Sequence, residues 1–184
     1  MRLFTGKGDD GTTDLLGDRV AKNDPRVMLI GILDETTSFI GLGRAHAASD
    51  RTKAWLQEFQ RDLYKIMAEL AFTDEIRPES FVIGHNRVAR LEELTDTLTA
   101  ELNLPPEFIL PGDTVPGAAL DVARAVVRRA EREAVDLLEK DIISNPEIVR
   151  FLNRLSSFMF AAARHEDREA GVTPLRAKES VRNE

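Results

Sequence analysis

The residues best suited to binding chemistry are arginines in the stretch PGAALDVARAVVRRAEREAVDLLEK, which begins at Pro116. Arg124, Arg128 and Arg132 recur every four residues, so a helix would align them on one polar arc with Asp121 and Glu131. Each adjacent pair of like charges costs about 0.2–0.5 kcal/mol in an isolated helix. A bound anion would reverse that cost, because guanidinium groups bind phosphate and carboxylate oxygens. The pattern indicates a site for a polyphosphate or a partner's carboxylate, or else a solvated polar face.

The opening stretch FTGKGDDGTTDLLGDRVAKNDPRV has almost no apolar side chain to bury before Val27. It should therefore be disordered or become ordered around a polar ligand. Glycines leave backbone N–H groups accessible to an anion, and lysines and threonines add donors. The residues concerned are Gly6, Gly8, Gly11, Lys7, Lys22, Thr12 and Thr13. The stretch resembles a phosphate cradle, although it lacks the Walker pattern, and a mobile glycine-rich arm is the alternative.

Two further polar residues lie in apolar surroundings. Asp34 shares a predicted helical strip with Val27 and Ile30, and a carboxylate there needs a cationic partner, for which an arginine of the Pro116 helix is suitable. The alternative is that Asp34 and Glu35 edge the solvent. Asn153 is flanked by apolar side chains on a helix, which suggests a polar contact in a cleft.

Composition excludes several kinds of site. The chain has no cysteine, which removes disulfides, thiolate nucleophiles and iron–sulfur ligation and agrees with a reducing cytoplasm. None of the three histidines follows a glutamate by three residues, as di-iron bundles require, and all three are expected at the surface. A net charge of −7 argues against nucleic acid as a partner. Neither a signal peptide nor a membrane span is evident, so we expect a soluble protein.

Apolar periodicity and capping residues predict an all-α protein of five helices, with no competing strand pattern. The chain length of 184 residues fits one domain, with an N-terminal arm over residues 1–24, a bundle over 25–170 and a polar, frayed tail over 171–184. Asp24-Pro25 and Asn145-Pro146 are expected to start helices. The predicted helices are Pro25–His46, Arg51–Phe72, Asn86–Leu102, Pro116–Asp141 and Glu147–Ala170.

Three blocks, in this order, carry a family resemblance: TGKGDDGTTDLLGDRVAKNDPRV with GILDE after it, FILPGD followed by AALDVARAVVRRAERE, and FLNRLSSFMFAAAR. Together they resemble the PduO-type ATP:cob(I)alamin adenosyltransferases over nearly the whole chain. The resemblance implies a homotrimer with active sites between subunits, in which the arm folds over ATP and arginines grip the triphosphate with Mg²⁺. The nucleotide contacts it implies are Thr5, Gly6, Lys7, Gly8, Thr12, Thr13, Lys22, Arg128, Arg129, Glu131, Arg132 and Asn153.

The resemblance also implies three catalytic residues. Asp34 matches an aspartate that pairs across the subunit interface with the arginine matching Arg128. Phe108 matches an aromatic residue beneath the corrin that keeps the lower ligand away from cobalt; the alternative is that Phe108 only packs its loop against the bundle. Reduction of cobalt further implies a flavoprotein reductant, and the product implies an adenosylcobalamin-dependent acceptor enzyme.

Two aspartates depart from the family pattern. Asp121 stands where histidine is usual, and Asp113 replaces a glycine, so we expect added negative charge to weaken binding or change which corrinoid is accepted. These departures keep open a corrinoid- or nucleotide-binding delivery protein without turnover. A helical adaptor that docks an acidic partner on its arginine strip is a second alternative.

Overall fold

Five α-helices dominate the computed structural model, which describes residues 4–102, 104 and 107–178. The predicted five-helix fold is confirmed, and no predicted boundary is off by more than two residues. None of the described helices combines the length and apolarity needed to cross a bilayer. The helices are α1 (Pro25–His46), α2 (Asp50–Ala71), α3 (His85–Glu101), α4 (Val115–Glu139) and α5 (Pro146–Glu169).

Every helix except α3 starts at a short polar side chain that accepts a hydrogen bond from the first turn. Asp24 accepts from the backbone N–H of Arg26 and Asn145 from that of Glu147, and each is followed by proline, as predicted. Thr114 caps α4 in the same way, by accepting from the N–H of Gly117 at 3.0 Å. These local bonds satisfy N–H groups that have no partner within a helix.

The core is centred on α4, which packs most extensively against α5 and α1. Three small residues on the buried side of α4 let the neighbouring helices approach closely: Ala123, Ala130 and Ala134. On α1, Gly43 has the same effect, since a Cβ atom there would lie 2.8 Å from Leu120 Cδ2. Phe59 and Phe158 stack edge to face at 4.8 Å and join α2 to α5.

The expectation that no strands form is wrong for the N-terminal arm. Strands β1 (Thr12–Leu15) and β2 (Asp18–Ala21) pair antiparallel, with Thr12 opposite Ala21. Gly17 makes the turn at a φ of 105°, which favours glycine. The hairpin is anchored where Leu16 donates to the carbonyl of Ala71 and accepts from the N–H of Thr73. Backbone pairing thus orders an arm that has little apolar burial of its own.

The expectation of a frayed tail is also wrong for its first residues. The N–H of Leu110 donates to the carbonyl of Leu175 at 2.8 Å, and the N–H of Ala177 donates to the carbonyl of Phe108 at 2.7 Å. This short antiparallel contact holds the tail beside the loop that precedes α4. The remainder of the predicted tail, residues 179–184, lies outside the described residues.

One histidine is buried, contrary to the expectation that all three lie at the surface. His165 on α5 is enclosed, and its Nε2 atom has no hydrogen-bond partner in the described part of the chain. Burial lowers the pKa of His165, and the nearby positive charge of Arg51 acts in the same direction. The imidazole is therefore held neutral in the folded protein at pH values where the unfolded chain already takes up a proton.

The lowered pKa of His165 predicts a loss of stability on acidification. Stability is complete above the unfolded pKa of about 6.5 and declines as the pH falls, because the unfolded state then binds more protons. We expect the thermal midpoint to fall between about pH 7.5 and pH 5.5. His165→Gln should flatten this dependence while the control His46→Gln, at an exposed position, should not. An identical slope in wild type and His165→Gln would contradict the prediction.

Candidate active site

The glycine-rich loop turns back on itself before the hairpin. Gly6 and Gly11 have positive φ angles of 73° and 83°, and the N–H of Lys22 donates to the carbonyl of Gly11 at 2.9 Å. A Cβ atom on Gly8 would lie 3.1 Å from both Lys22 Nζ and the carbonyl oxygen of Thr12. The structure therefore brings the Lys22 ammonium group directly over the loop at Gly8.

Internal bonds hold the other arm residues. Thr12 donates through both its N–H and its hydroxyl to Asp10 Oδ1, and these bonds lower the pKa of Asp10. Arg19 donates to the carbonyl of Lys7 at 2.6 Å, while the N–H of Lys7 donates to Thr5 Oγ1. Thr13 lies within β1. The arm is thus a structured loop with donors on its surface.

The arginines of α4 differ in their partners. Arg129 is ion-paired with Glu35 of α1. Arg128 and Arg132 are exposed, and neither forms an ion pair or side-chain hydrogen bond with any described residue. The predicted ladder therefore leaves two guanidinium groups uncommitted on the surface of α4.

Asn153 makes the polar contact that its position suggested. Its Nδ2 donates to Glu131 Oε1 at 2.7 Å, and its Oδ1 accepts from Arg154 at 2.5 Å. Arg154 in turn donates to Glu92 of α3 at 2.8 Å. This chain of bonds fixes Glu131 and Asn153 on adjoining helices close to the uncommitted arginines.

On α1, Asp34 is exposed and has no ion-pair partner among the described residues. It therefore edges the solvent in the single chain, which was one of the two interpretations of its position. Exposed Met28 and Leu42 lie on the same side of the helix at seven-residue steps from Glu35. Asp34 lies about 100° around the helix from this line. Exposed apolar side chains and an unpaired carboxylate on one helix are suited to contact with another protein surface.

The single chain does not join the arm to α4. The hydrogen bonds and ion pairs of residues 5–24 go to the arm itself, to the first turn of α1, and to Ala71 and Thr73 at and just beyond the end of α2. Within the described ranges, none reaches Arg128, Arg132 or Asn153. The predicted nucleotide residues therefore form two separate groups in one chain.

Three adjoining depressions, of roughly 300, 320 and 420 Å³, surround the first half of α4. All three are lined by Arg124, and two of them share Phe160. Phe108 lines one, and with 88% of its surface exposed it does not pack its loop against the bundle. Arg128 lines the neighbouring depression, so the arginine strip and the aromatic wall are continuous.

Two side chains beneath these depressions lie where helical periodicity did not predict them. Asp121, expected on the polar arc, is buried at 6% exposure, whereas the adjacent Val122 is 42% exposed. Arg164, a charged residue of α5 that shares a helical face with Asn153, is also buried and donates to Asp121 Oδ2 at 2.8 Å. The negative charge of Asp121 is thus neutralised inside the protein. Asp113 instead accepts from the N–H of Leu175 in the tail, at 3.3 Å.

A separate depression of about 260 Å³ lies at the opposite end of the bundle, between the start of α1 and the turn from α4 to α5. Its arginines are already paired, Arg26 with Asp24 and Arg77 with Asp74. It therefore offers no uncommitted positive charge to a ligand.

Comparison with known proteins defines the class to which this fold and site belong. The sequence profile described as "Cobalamin adenosyltransferase" matches residues 3–166, so the chain belongs to that family. A corrinoid adenosyltransferase of Bacillus subtilis is 35% identical over 98% of this chain and 94% of its own length.

Within that family the chain is of the PduO type. The corrinoid adenosyltransferase PduO of Salmonella typhimurium is 36% identical over 92% of this chain, which spans about half (51%) of that longer protein. A variant of the PduO-type ATP:corrinoid adenosyltransferase from Lactobacillus reuteri, solved in complex with cobalamin and ATP, is 33% identical. It matches with a TM-score of 0.88 over 97% of this chain and 100% of that chain.

Proposed function

We propose that this protein transfers the 5′-deoxyadenosyl group of ATP to cob(I)alamin, giving adenosylcobalamin and triphosphate. The cobalt(I) electron pair forms the bond to C5′ while the bond from C5′ to oxygen breaks and triphosphate leaves. The enzyme has to align cobalt, carbon and leaving oxygen and to stabilise charge on the triphosphate. No protein nucleophile is required, in agreement with a chain that lacks cysteine.

One geometric observation carries this proposal. Uncommitted Arg128 lines a depression that shares Arg124 and Phe160 with the depression lined by Phe108. Arg132, also uncommitted, follows Arg128 one helical turn later on α4. Such a face offers positive charge for a triphosphate next to an apolar wall for a large planar ligand. The proposed substrates are those in the solved complex of the Lactobacillus reuteri relative.

We assign the triphosphate to Arg128 and Arg132, because their guanidinium groups have no competing carboxylate in the described chain. Arg129 supports this strip through its pair with Glu35. Glu131 and Asn153, linked at 2.7 Å, would contact the nucleotide beside the phosphates. An exposed strip of like charge gains stability when a polyanion binds, so nucleotide binding should stabilise α4.

Magnesium would enter with the nucleotide. The described residues contain no group of three or more acidic or histidine side chains that could hold a metal ion. Mg²⁺ is commonly held by substrate phosphates, waters and one or two carboxylates. We propose Glu131, next to Arg132 on α4, as the carboxylate for such an ion, which would neutralise charge on the leaving triphosphate.

The arm would close over ATP through the loop from Thr5 to Gly8 and through Lys22. Accessible N–H groups and the ammonium groups of Lys7 and Lys22 would supply donors to phosphate oxygens, and the hydroxyl of Thr13 would supply another. The hydroxyl of Thr12 would become a donor only after leaving Asp10, to which it donates in the single chain. Hydrogen exchange of residues 5–22 should slow on addition of MgATP, because the exposed loop then gains partners.

We further propose that the site is completed in a homotrimer. In one chain the arm and the arginine strip are not joined, Asp34 is exposed without an ion-pair partner among the described residues, and α1 also exposes Met28 and Leu42. These observations are accounted for if the arm of one subunit reaches α4 of its neighbour. Asp34 would then meet Arg128 across the interface.

Phe108 would lie beneath the corrin and keep a lower ligand away from cobalt. Its exposed ring is available to a ligand at the mouth of the depression. Cobalt(II) without a lower ligand accepts an electron more easily, so we propose a flavoprotein as reductant. An adenosylcobalamin-dependent enzyme would take up the product, and the cytoplasm is the proposed setting.

Turnover is the decisive test of the proposed function. Purified protein is mixed with MgATP and chemically reduced cobalamin, and adenosylcobalamin is followed by its visible spectrum. Many equivalents per site establish the transferase. One equivalent or fewer would indicate a delivery protein, and a lack of any nucleotide-specific heat with MgATP would indicate an adaptor.

Replacing Gly8 with alanine should weaken ATP binding. The added methyl group would lie 3.1 Å from the carbonyl oxygen of Thr12 and from Lys22 Nζ, so it displaces both the loop and the ammonium group. Loss of one charged hydrogen bond predicts a rise of about tenfold in the KM for ATP.

The control for Gly8→Ala is the same change in a Lys22→Ala background. If Gly8 acts by seating Lys22, the two effects should be non-additive, and Gly8→Ala should then change KM by less than about twofold. Full additivity would show that Gly8 acts independently of Lys22.

A further inference from the structure

A buried chain of hydrogen-bonded groups connects Asp121 of α4 to α5 and returns from α5 to the N-cap of α4. Arg164 donates through Nε to Asp167 Oδ2 and through Nη2 to Asp121 Oδ2, both at 2.8 Å. Asp167 Oδ1 accepts from the hydroxyl of Thr114, the N-cap of α4, at 2.7 Å. A Cβ atom on Gly117 would lie 2.3 Å from Asp167 Oδ1, so only glycine leaves room for that carboxylate.

The network ends on two groups that line the depressions. The other oxygen of Asp121, Oδ1, lies 3.6 Å from Nε of Arg124, the residue common to all three depressions. On the opposite side, the Arg164 guanidinium lies 5.5 Å from the ring centre of Phe160. Asp121 therefore contacts Arg124 directly and is linked to the Phe160 ring through Arg164.

The charges explain why this arrangement is stable and specific. Two arginines and two aspartates compensate one another, and the three buried members, Arg164, Asp121 and Asp167, would each be a costly charge alone. Arg124 is half-buried at the edge of the network. Arg124 Nε has no hydrogen bond within the described chain, so Asp121 is the group that restrains it electrostatically. An apolar or neutral residue at position 121 would leave Arg124 free to turn into the depression.

We propose that Asp121 is a positioning residue that shapes the corrinoid side of the site by fixing Arg124 and, through Arg164, Phe160. This inference rests on the proposed function, because it assigns the depressions around Arg124 to the corrinoid. It replaces the expectation that the carboxylate repels ligand, since its charge is taken up by Arg164. Asp121 thereby determines corrinoid affinity and leaves ATP affinity alone.

The test compares Asp121→Asn with a matched control. Asp62→Asn removes another buried carboxylate, one that is paired with Arg87 at 2.6–3.1 Å on α2 and α3, away from the depressions. For each variant we would measure kcat, the KM values for cob(I)alamin and ATP, and the Kd of cob(II)alamin by its visible spectrum. The thermal midpoint reports folding.

For Asp121→Asn we expect the KM and Kd for corrinoid to rise about tenfold while the KM for ATP stays within about twofold. Asp62→Asn should lower the thermal midpoint and leave both corrinoid constants unchanged. Asp121→Glu, which keeps the charge, should recover most of the corrinoid affinity. Unchanged corrinoid constants in Asp121→Asn, an equal rise for ATP, or the same rise in Asp62→Asn would overturn the proposal.

If Asp121→Asn does not fold, Arg124→Gln serves instead, because it leaves the buried pair of Asp121 and Arg164 intact. It should also raise the corrinoid constants selectively, and wild-type constants would overturn the proposal. Measurements on the wild-type protein distinguish failure of the proposed function from failure of the role given to Asp121. Binding of cob(II)alamin without formation of adenosylcobalamin would reject the proposed function yet still test Asp121, and absence of both would reject both.

Discussion

Replacing Arg128 with alanine is expected to cripple nucleotide binding and to loosen the subunit assembly. Arg128 is exposed and has no ion pair in the described chain, so its guanidinium group is available to triphosphate and to Asp34 of a neighbouring subunit. A hydrogen bond to a charged group contributes about 1.5–3 kcal/mol, which predicts a ten- to hundredfold loss of ATP affinity. Removal of one partner from a buried ion pair costs about 3–5 kcal/mol, which would destabilise a trimer.

Calorimetry with MgATP and analytical ultracentrifugation measure these two effects. Arg129→Ala is the matched control, because Arg129 is adjacent but already paired with Glu35 in the same chain. Unchanged ATP affinity together with unchanged sedimentation in Arg128→Ala would reject both roles. Arg124→Gln, one helical turn earlier, shows by the same sedimentation measurement which arginine the neighbouring carboxylate meets.

Replacing Phe108 with alanine should impair reduction of cobalt far more than ATP binding. The ring would occupy the space of a lower cobalt ligand, and its loss would let water or the corrinoid's own base bind. The electron is then harder to add. Each decrease of about 59 mV in the cobalt(II) reduction potential lowers the equilibrium constant for a one-electron reduction tenfold. A decrease of roughly 120 mV would therefore reduce flavoprotein-driven activity about a hundredfold.

Two assays and a thermal scan distinguish this role from packing. Activity with chemically supplied cob(I)alamin should fall much less than activity driven by a flavoprotein. Truncation of a buried aromatic side chain lowers the free energy of unfolding by about 3–5 kcal/mol. Because Phe108 is exposed, Phe108→Ala should leave the thermal midpoint nearly unchanged. Leu110→Ala, at another exposed apolar position in the loop, is the control. Equal losses in the two assays would remove the cobalt-ligand role.

Local features of the sequence were enough to predict the helices and one part of the site. Asp24-Pro25 and Asn145-Pro146 start helices because capping is completed within a few residues. The alignment of Arg128 and Arg132 follows from helical periodicity alone. The contact at Asn153 was suggested by its apolar neighbours along the same helix, whereas its partner Glu131 could only be identified in the structure.

What the sequence by itself determined is therefore the set of five helices, the caps of α1 and α5, and the residues that share a helical face. The tertiary structure decided which polar residues are buried and which groups meet. Asp121 and Arg164 are 43 positions apart, and each is tolerated in the interior only because the other is there. The hairpin likewise depends on cross-strand pairing and on anchoring to Ala71, which four-residue polar strands do not reveal by their own pattern. Periodicity records the preferences of one element at a time, whereas burial of charge depends on partners that only folding brings together.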